Sequence, residues 1–262
     1  VTMTTATLRG FRAHRMIERN LLVYRRMWVI VFSGFFEPVF YLFAIGIGVG
    51  QLVGDVTLPD GTPIPYRSFV APALLAASAM NGAVFESTMN IFFKLKFGKI
   101  YDAILATPMK PLDVAVGEIW WSLIRGGIYA TGFLVIMAIF GLIESAWAVL
   151  ALPAALLIGF AFASVGMAAT TFMRSWQDFD LVTLATLPLF LFSATFYPLS
   201  VYPPLIQQIT RLSPLYHGVE LIRSLTLGRF DPSLYGHAAF LLIMGLIGSL
   251  LATRRIGKLL LS

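Results

Sequence analysis

The sequence predicts an all-α membrane protein. It has six transmembrane helices, an N-terminal amphipathic interfacial helix, a short cytoplasmic helix and external re-entrant helices between spans five and six. Three observations carry that reading. Six apolar runs, residues 28–50, 69–93, 119–143, 147–173, 181–197 and 235–253, are bracketed by arginine, lysine, proline or glycine. A helix crossing ~30 Å of hydrocarbon needs about twenty mostly apolar residues, and most of the runs reach that length. The chain is 58% hydrophobic and only 12% charged, against about 25% charged in ordinary soluble domains. Lysine and arginine, finally, sit asymmetrically: fourteen fall in one set of connections and four in the other, with Arg125 inside a run. The positive-inside rule then puts both termini in the cytoplasm. Topology accounts for the net charge of +6 without a nucleic-acid partner.

The 262 residues form one transmembrane domain, since no connection is large enough for a separate soluble one. Residues 1–27 are the cytoplasmic interfacial segment and 28–197 hold spans one to five. Residues 198–234 are the external helices, and 235–262 are span six with its cytoplasmic tail. In the arm, Ala13, Ile17, Leu21 and Tyr24 share one helical face, with Arg12, Arg15, Arg19 and Arg26 opposite. Such a helix lies in the membrane interface with its arginines toward lipid headgroups or a partner. The plainer alternative is a basic flank that only sets topology. The first apolar run is too long for a signal-peptide core and lacks a small-x-small cleavage pattern, so it reads as a retained span. Gly46, Gly48, Gly50 and Gly54 allow close helix approach, either within the bundle or at a dimer seam.

Asp55, Pro59, Asp60, Gly61, Pro63 and Pro65 make a turn-rich external loop between spans one and two. On the cytoplasmic side, residues 99–106 form a short helix with Ile100, Ala103 and Ile104 on one face. It is stopped by Thr107-Pro108, and Pro111 starts the helix into span three. A short amphipathic helix of this kind can dock into a groove on a soluble protein; the alternative is a solvated loop. Spans three and four meet in a tight hairpin at 141–146. Pro153 and Pro188 kink the fourth and fifth spans. Beyond the short fifth span, Pro198, Pro203, Pro204 and Pro214 cut an apolar stretch into pieces too short to cross a bilayer, which reads as re-entrant or interfacial helices. Glu220 and Arg223, three residues apart, are placed to pair.

Glu37, Glu86 and Arg125 interrupt spans one, two and three. Each costs about 2.5–3.5 kcal/mol at a helix centre, so each faces protein or water rather than lipid. They are either a polar patch on a substrate path or a structural ion pair between helices. An intramembrane enzyme would need a nucleophile or metal constellation within the spans, and none is visible. There is no cysteine, and His14, His217 and His237 lack carboxylates at ligand spacing. Trp28, Trp120, Trp121, Trp147 and Trp176 sit at span ends, as in an interfacial belt.

Several of these segments resemble a known family. Ile100-Tyr101-Asp102-Ala103-Ile104-Leu105 followed by Thr107-Pro108, Asp113 and Gly117-Glu118 is similar to the cytoplasmic coupling segment of type-2 ABC exporter permeases. Phe196-Tyr197-Pro198-Leu199, Pro203 and Ser213-Pro214-Leu215-Tyr216-His217 resemble that family's proline-punctuated segment after span five. Glu37-Pro38 with Tyr41-Leu42 is similar to the NodJ-like branch linked to lipo-oligosaccharide export. Tyr202 departs from the leucine the family usually has before the proline. The resemblance implies six spans per subunit, dimeric assembly with a second copy or a related permease chain, and separate cytoplasmic ATPase subunits that bind ATP and Mg²⁺. It also implies an amphipathic cargo: a glycolipid, a lipid-linked oligosaccharide or a hydrophobic drug. Lys99, Ile100, Tyr101, Asp102, Ile104, Leu105, Thr107 and Pro108 become the expected ATPase-coupling residues. Glu37, Glu86 and Arg125 become a substrate path, and Pro198, Pro203, Pro214, Glu220 and Arg223 part of an external lid. The residues agree on one point independently: no G-x-x-x-x-G-K-[ST] loop occurs, so ATP must be bound by another polypeptide. An ion- or proton-coupled carrier or channel using the intramembrane charges is the competing expectation, and membrane lipids are partners under either reading.

Overall fold

The computed structural model describes residues 12–25, 36, 38–58 and 61–260. Four helices in it are long and apolar enough to cross a membrane: α3 (Tyr66–Phe97), α5 (Pro111–Ile139), the Ala146–Thr170 helix whose regular part is α6 (Ala151–Thr170), and Ser233–Leu259 of α10 (Ser233–Leu260). They correspond to predicted spans two, three, four and six. The described part of span one is α2 (Pro38–Val53), whose middle, Leu42–Val49, is wound as a π-helix. Glu37 and Trp28 lie outside the described residues.

The fifth span differs most from expectation. Its helix, α7 (Phe179–Leu191), stops six residues before the predicted end. Thirteen residues rise only about 20 Å at 1.5 Å each, short of the hydrocarbon thickness. Pro188 removes a helical hydrogen bond near its end, and Ala194 then turns the backbone into the left-handed region at φ 53°. Span three also ends early: Gly141 (φ 64°) turns the chain where the apolar run continues. In the loop after α2, β1 (Asp55–Thr57) and β2 (Pro63–Pro65) pair antiparallel, a hairpin the turn-rich sequence did not predict.

The first twenty residues of α3 form the bundle's centre, rich in alanine and buried against α2, α5, α6 and α9 (Pro214–Leu227). Small side chains let neighbouring backbones approach. The same device joins α6 to α10, where a Cβ on Gly248 would lie 2.8 Å from the Ser164 carbonyl carbon. The bundle has two ends. At the basic end, α1 (Ala13–Tyr24), α4 (Ile100–Leu105), the start of α5 and the end of α10 share a small core of Met16, Tyr101, Val114, Ala115, Met167 and Ile256. At the proline-rich end lie α8 (Pro204–Leu212) and α9.

α1 is helical as predicted but rotated. Ala13, Met16 and Asn20 are its buried positions, while Leu21 is exposed. Met16 packs so tightly on Gly117 of α5 that a Cβ there would come within 2.4 Å. The cause is polar: Asn20 and Tyr24 turn toward charged groups on α3 and α5.

Candidate permeation and coupling site

Buried charge distinguishes the interior of this bundle. α3 and α5 run antiparallel, and each carries charged residues about two helical turns apart on one face, Glu86 and Lys94 on α3 and Glu118 and Arg125 on α5. Two ion pairs result. The Arg125 guanidinium donates to Glu86, and Lys94 Nζ lies 2.8 Å from Glu118 Oε2. Desolvating an ion costs several kcal/mol unless further hydrogen bonds satisfy it, and both carboxylates have them. Glu86 accepts from Asn90, one helical turn on, and from Tyr24 Oη at 3.4 Å. Glu118 accepts from Asn20 Nδ2 at 3.1 Å and Tyr101 Oη at 3.0 Å. Arg125 also donates to Tyr24 Oη at 3.1 Å and Tyr129 Oη at 3.2 Å.

Burial, reinforced by the Glu86 charge, pushes the Tyr24 hydroxyl up to about 12. Burial and Glu118 likewise hold Tyr101 well above the usual phenol range. Both therefore remain protonated donors at neutral pH. Asp113 adds a third clamp by accepting from the backbone N–H of Lys110 and of Arg12, both at 2.9 Å. This caps α5 and ties the start of α1 to it.

Beside Arg125 is a cavity of about 490 Å³ between α2, α3, α5 and α7. Apolar side chains make up most of its wall, with Tyr41, Ser78, Asn81, Thr88, Tyr129, Thr183 and Thr186 as uncharged hydrogen-bonding groups. Arg125 reaches the wall, whereas Glu86 stays behind it and is not a lining residue. Of the three intramembrane charges expected on a substrate path, one therefore faces the cavity, one neutralises it from behind, and Glu37 lies outside the described residues.

α4 is the expected coupling helix, and the structure begins it at Ile100 after Lys99, whose φ of 42° is left-handed. Its orientation differs from the face read from the sequence. Tyr101 is buried with its hydroxyl on Glu118, and Ile104 and Leu105 pack against the basic-end core. Outward lie Asp102, Ala103, Ala106, Thr107 and Pro108. Thr107 Oγ1 donates to the Ile104 carbonyl at 2.6 Å and closes the helix.

At the proline-rich end, Pro198 precedes a single turn at Leu199–Val201, Pro203 caps α8 and Pro214 opens α9. The expected Glu220–Arg223 pair forms at 2.7 Å. Arg223 does more than the sequence indicated. Almost fully buried, it donates to the carbonyls of Ala194 (2.8 Å) and Phe69 (3.3 Å) and stacks over the Phe69 ring at 3.9 Å. It thereby ties α9 to α3 and to the sharp turn after α7.

Two further groupings were not legible beforehand. Lys94 read as a flanking charge, yet it is buried; the matching spacings of Glu86/Lys94 and Glu118/Arg125 were the available signal. His217 and His237, twenty residues apart, meet Nδ1 to Nδ1 at 2.7 Å between α9 and α10, a contact no local pattern announces. Burial and the neighbouring His237 lower His217 to about 4. Trp121, expected in the interfacial belt, is buried beside Tyr24 with ring centroids 5.1 Å apart, whereas Trp120, Trp147 and Trp176 are exposed.

Comparison with known proteins agrees with this architecture. Residues 13–227 match the ABC-2 type transporter family. Nodulation protein J of Rhizobium leguminosarum bv. viciae is 31% identical over 238 residues, 90% of each chain. Nodulation protein J of Rhizobium meliloti (strain 1021) is 32% identical over 213 residues, 80% of this chain and 79% of that protein. The inner membrane transport permease YadH of Escherichia coli (strain K12) is 26% identical over 212 residues, 79% of this chain and 80% of YadH. The chain thus belongs to the ABC-2 type transporter family, as a multi-pass membrane permease subunit of an ABC transporter.

Proposed function

We propose that this permease is one half of an ATP-driven exporter in the cytoplasmic membrane. It crosses six times with both termini inside, and carries an amphipathic cargo such as a glycolipid, a lipid-linked oligosaccharide or a hydrophobic drug. The observation that carries this reading is the cavity beside Arg125, whose wall combines apolar side chains with hydroxyl and amide groups, a mixture that suits a cargo having both a lipid and a polar part. Because Glu86 neutralises Arg125, the wall carries no net charge, which disfavours an ion-coupled carrier.

A second copy or a related permease closes the path. α7 supports that arrangement: it has no buried residue, and Leu184 and Leu187, which line neither cavity, are exposed along it. Cytoplasmic ATPase subunits bind ATP and Mg²⁺ and push on the exposed face of α4. Tyr101–Glu118–Lys94 and Asn20 carry that push into α3, α5 and α1. The segments around Pro198, Pro203 and Pro214, held by Arg223 and Glu220, form the external lid, whose proline breaks suit a gate that opens piecewise.

The test is reconstitution in liposomes with and without the partner ATPase, following a fluorescent glycolipid and a small ion. ATP-dependent glycolipid transfer that needs both components is expected. Ion flux through the permease alone, without ATP, would replace this reading with a channel or carrier.

A further inference from the structure

A second cavity adjoins the first along α7, with Val84, Thr88, Val182 and Thr186 in both walls, and its chemistry differs at one end. It is a laterally open groove of about 750 Å³ between α6, α7 and α10 with a wall from α3. Its length along α7 runs from Asp178 to Leu189, about 16 Å at 1.5 Å per residue. That is one leaflet of a bilayer whose hydrocarbon is ~30 Å thick. The wall is mostly apolar over this length, with Val165, Ala169, Phe172, Leu181, Ala185 and Leu189 as principal side chains and Thr88 and Thr186 as its hydroxyls. At the basic end it stops being apolar. Arg174, Ser175 and Asp178 form the rim, and Arg255 of α10 stacks over the rim residue Phe172 at 4.1 Å.

Neither guanidinium makes a salt bridge among the described residues, and Arg255 Nε is buried without a hydrogen-bond partner. Asp178 is the only carboxylate among the described residues that line the groove. Its Oδ2 accepts from the backbone N–H of Arg174 (2.6 Å) and Ser175 (3.1 Å), which, together with the nearby Arg174 charge, lowers its pKa. Arg174 on the rim and Arg255 over Phe172 outnumber this one carboxylate, which its own turn already engages, so this end of the groove keeps an excess of positive charge.

We propose that this groove binds an anionic phospholipid of the leaflet at the basic end, with its phosphate at Arg174 and Arg255 and an acyl chain along α7. The length of the groove, its apolar wall and the charge at one end match the three parts of such a lipid. Electrostatic complementarity selects this occupant over a zwitterionic lipid. The site would fix α7, which packs loosely otherwise, against α6. It adjoins the cargo cavity, sharing Val84, Thr88, Val182 and Thr186 with it, and is set apart by its charged rim.

Native mass spectrometry of the full chain in detergent tests the assignment, with phosphatidylglycerol, phosphatidylcholine and inorganic phosphate as probes. Wild type should retain phosphatidylglycerol about tenfold better than phosphatidylcholine. Arg174→Gln with Arg255→Gln should lose that preference, and lysine at both positions should restore it. Ala169→Trp, which fills the groove at an exposed position and keeps both charges, should reduce retention of either lipid. Equal retention of the two lipids by wild type would overturn the proposal without reference to any variant. So would full competition by inorganic phosphate, which would mark a free anion site. Loss of dimer with unchanged lipid retention in Ala169→Trp would overturn it in favour of a seam between subunits.

Discussion

At the scale of single residues, the interior is governed by paired charges. Glu86 is buried and Arg125 half-buried, and the two share Tyr24 as a partner, with Asn90 donating to Glu86 and to Tyr24. Removing one partner leaves an uncompensated ion, so Arg125→Met alone should destabilise the protein by about 3–5 kcal/mol, whereas Glu86→Met with Arg125→Met should recover most of that loss. Thermal unfolding of the purified variants reads the difference; additive single effects would mean the two charges are uncoupled.

His217 makes a second residue-level expectation. Folded, it titrates near pH 4 instead of 6.5, so between those values the unfolded chain binds a proton that the folded chain does not. The contribution of His217 to stability is therefore complete above pH 6.5 and is lost as the pH falls toward 4. His217→Asn, whose amide can take the place of Nδ1 toward His237, should flatten that part of the profile. Melting temperatures recorded from pH 7.5 to 4 check it, and an unchanged slope in the variant would assign the pH dependence to other groups.

At the scale of elements, α4 separates two roles that the sequence merged into one face. Tyr101 holds the helix from inside, and Ala103 and Ala106 point outward. Ala103→Asp with Ala106→Asp should abolish transport-stimulated ATP hydrolysis with little change in melting temperature, because a desolvated charge would enter the contact with the partner. Tyr101→Phe should instead cost about 1–3 kcal/mol of stability by depriving Glu118 of a donor. Ile104→Asp, at a residue the sequence places in the coupling set, would strike both functions, since Ile104 packs on the basic-end core. Undiminished coupling in the double aspartate variant, at normal complex yield, would remove this face from the mechanism.

For the whole molecule, the distribution of lysine and arginine predicts the orientation. Reporter tags at residues 1 and 262 should both read as cytoplasmic, and a tag at residue 60 as external. Either terminus found outside would invert every assignment of side, including the leaflet of the lipid groove.

The sequence by itself determined the solvent, the class and most of the helices, because twenty apolar residues in a row have few other solutions than a membrane span. It also located the proline breaks and the Glu220–Arg223 pair, whose partners are local in the chain. Tertiary structure alone decided where the long-range partners meet. Lys94 with Glu118, Glu86 with Arg125, Asn20 with Glu118 and His217 with His237 lie on different helices, and single-chain periodicity does not specify which faces those helices turn to each other. The rotations of α1 and α4 have the same origin. A helix in water or at an interface turns its apolar face inward, but here buried carboxylates had to be satisfied first, and Asn20, Tyr24 and Tyr101 turned to meet them.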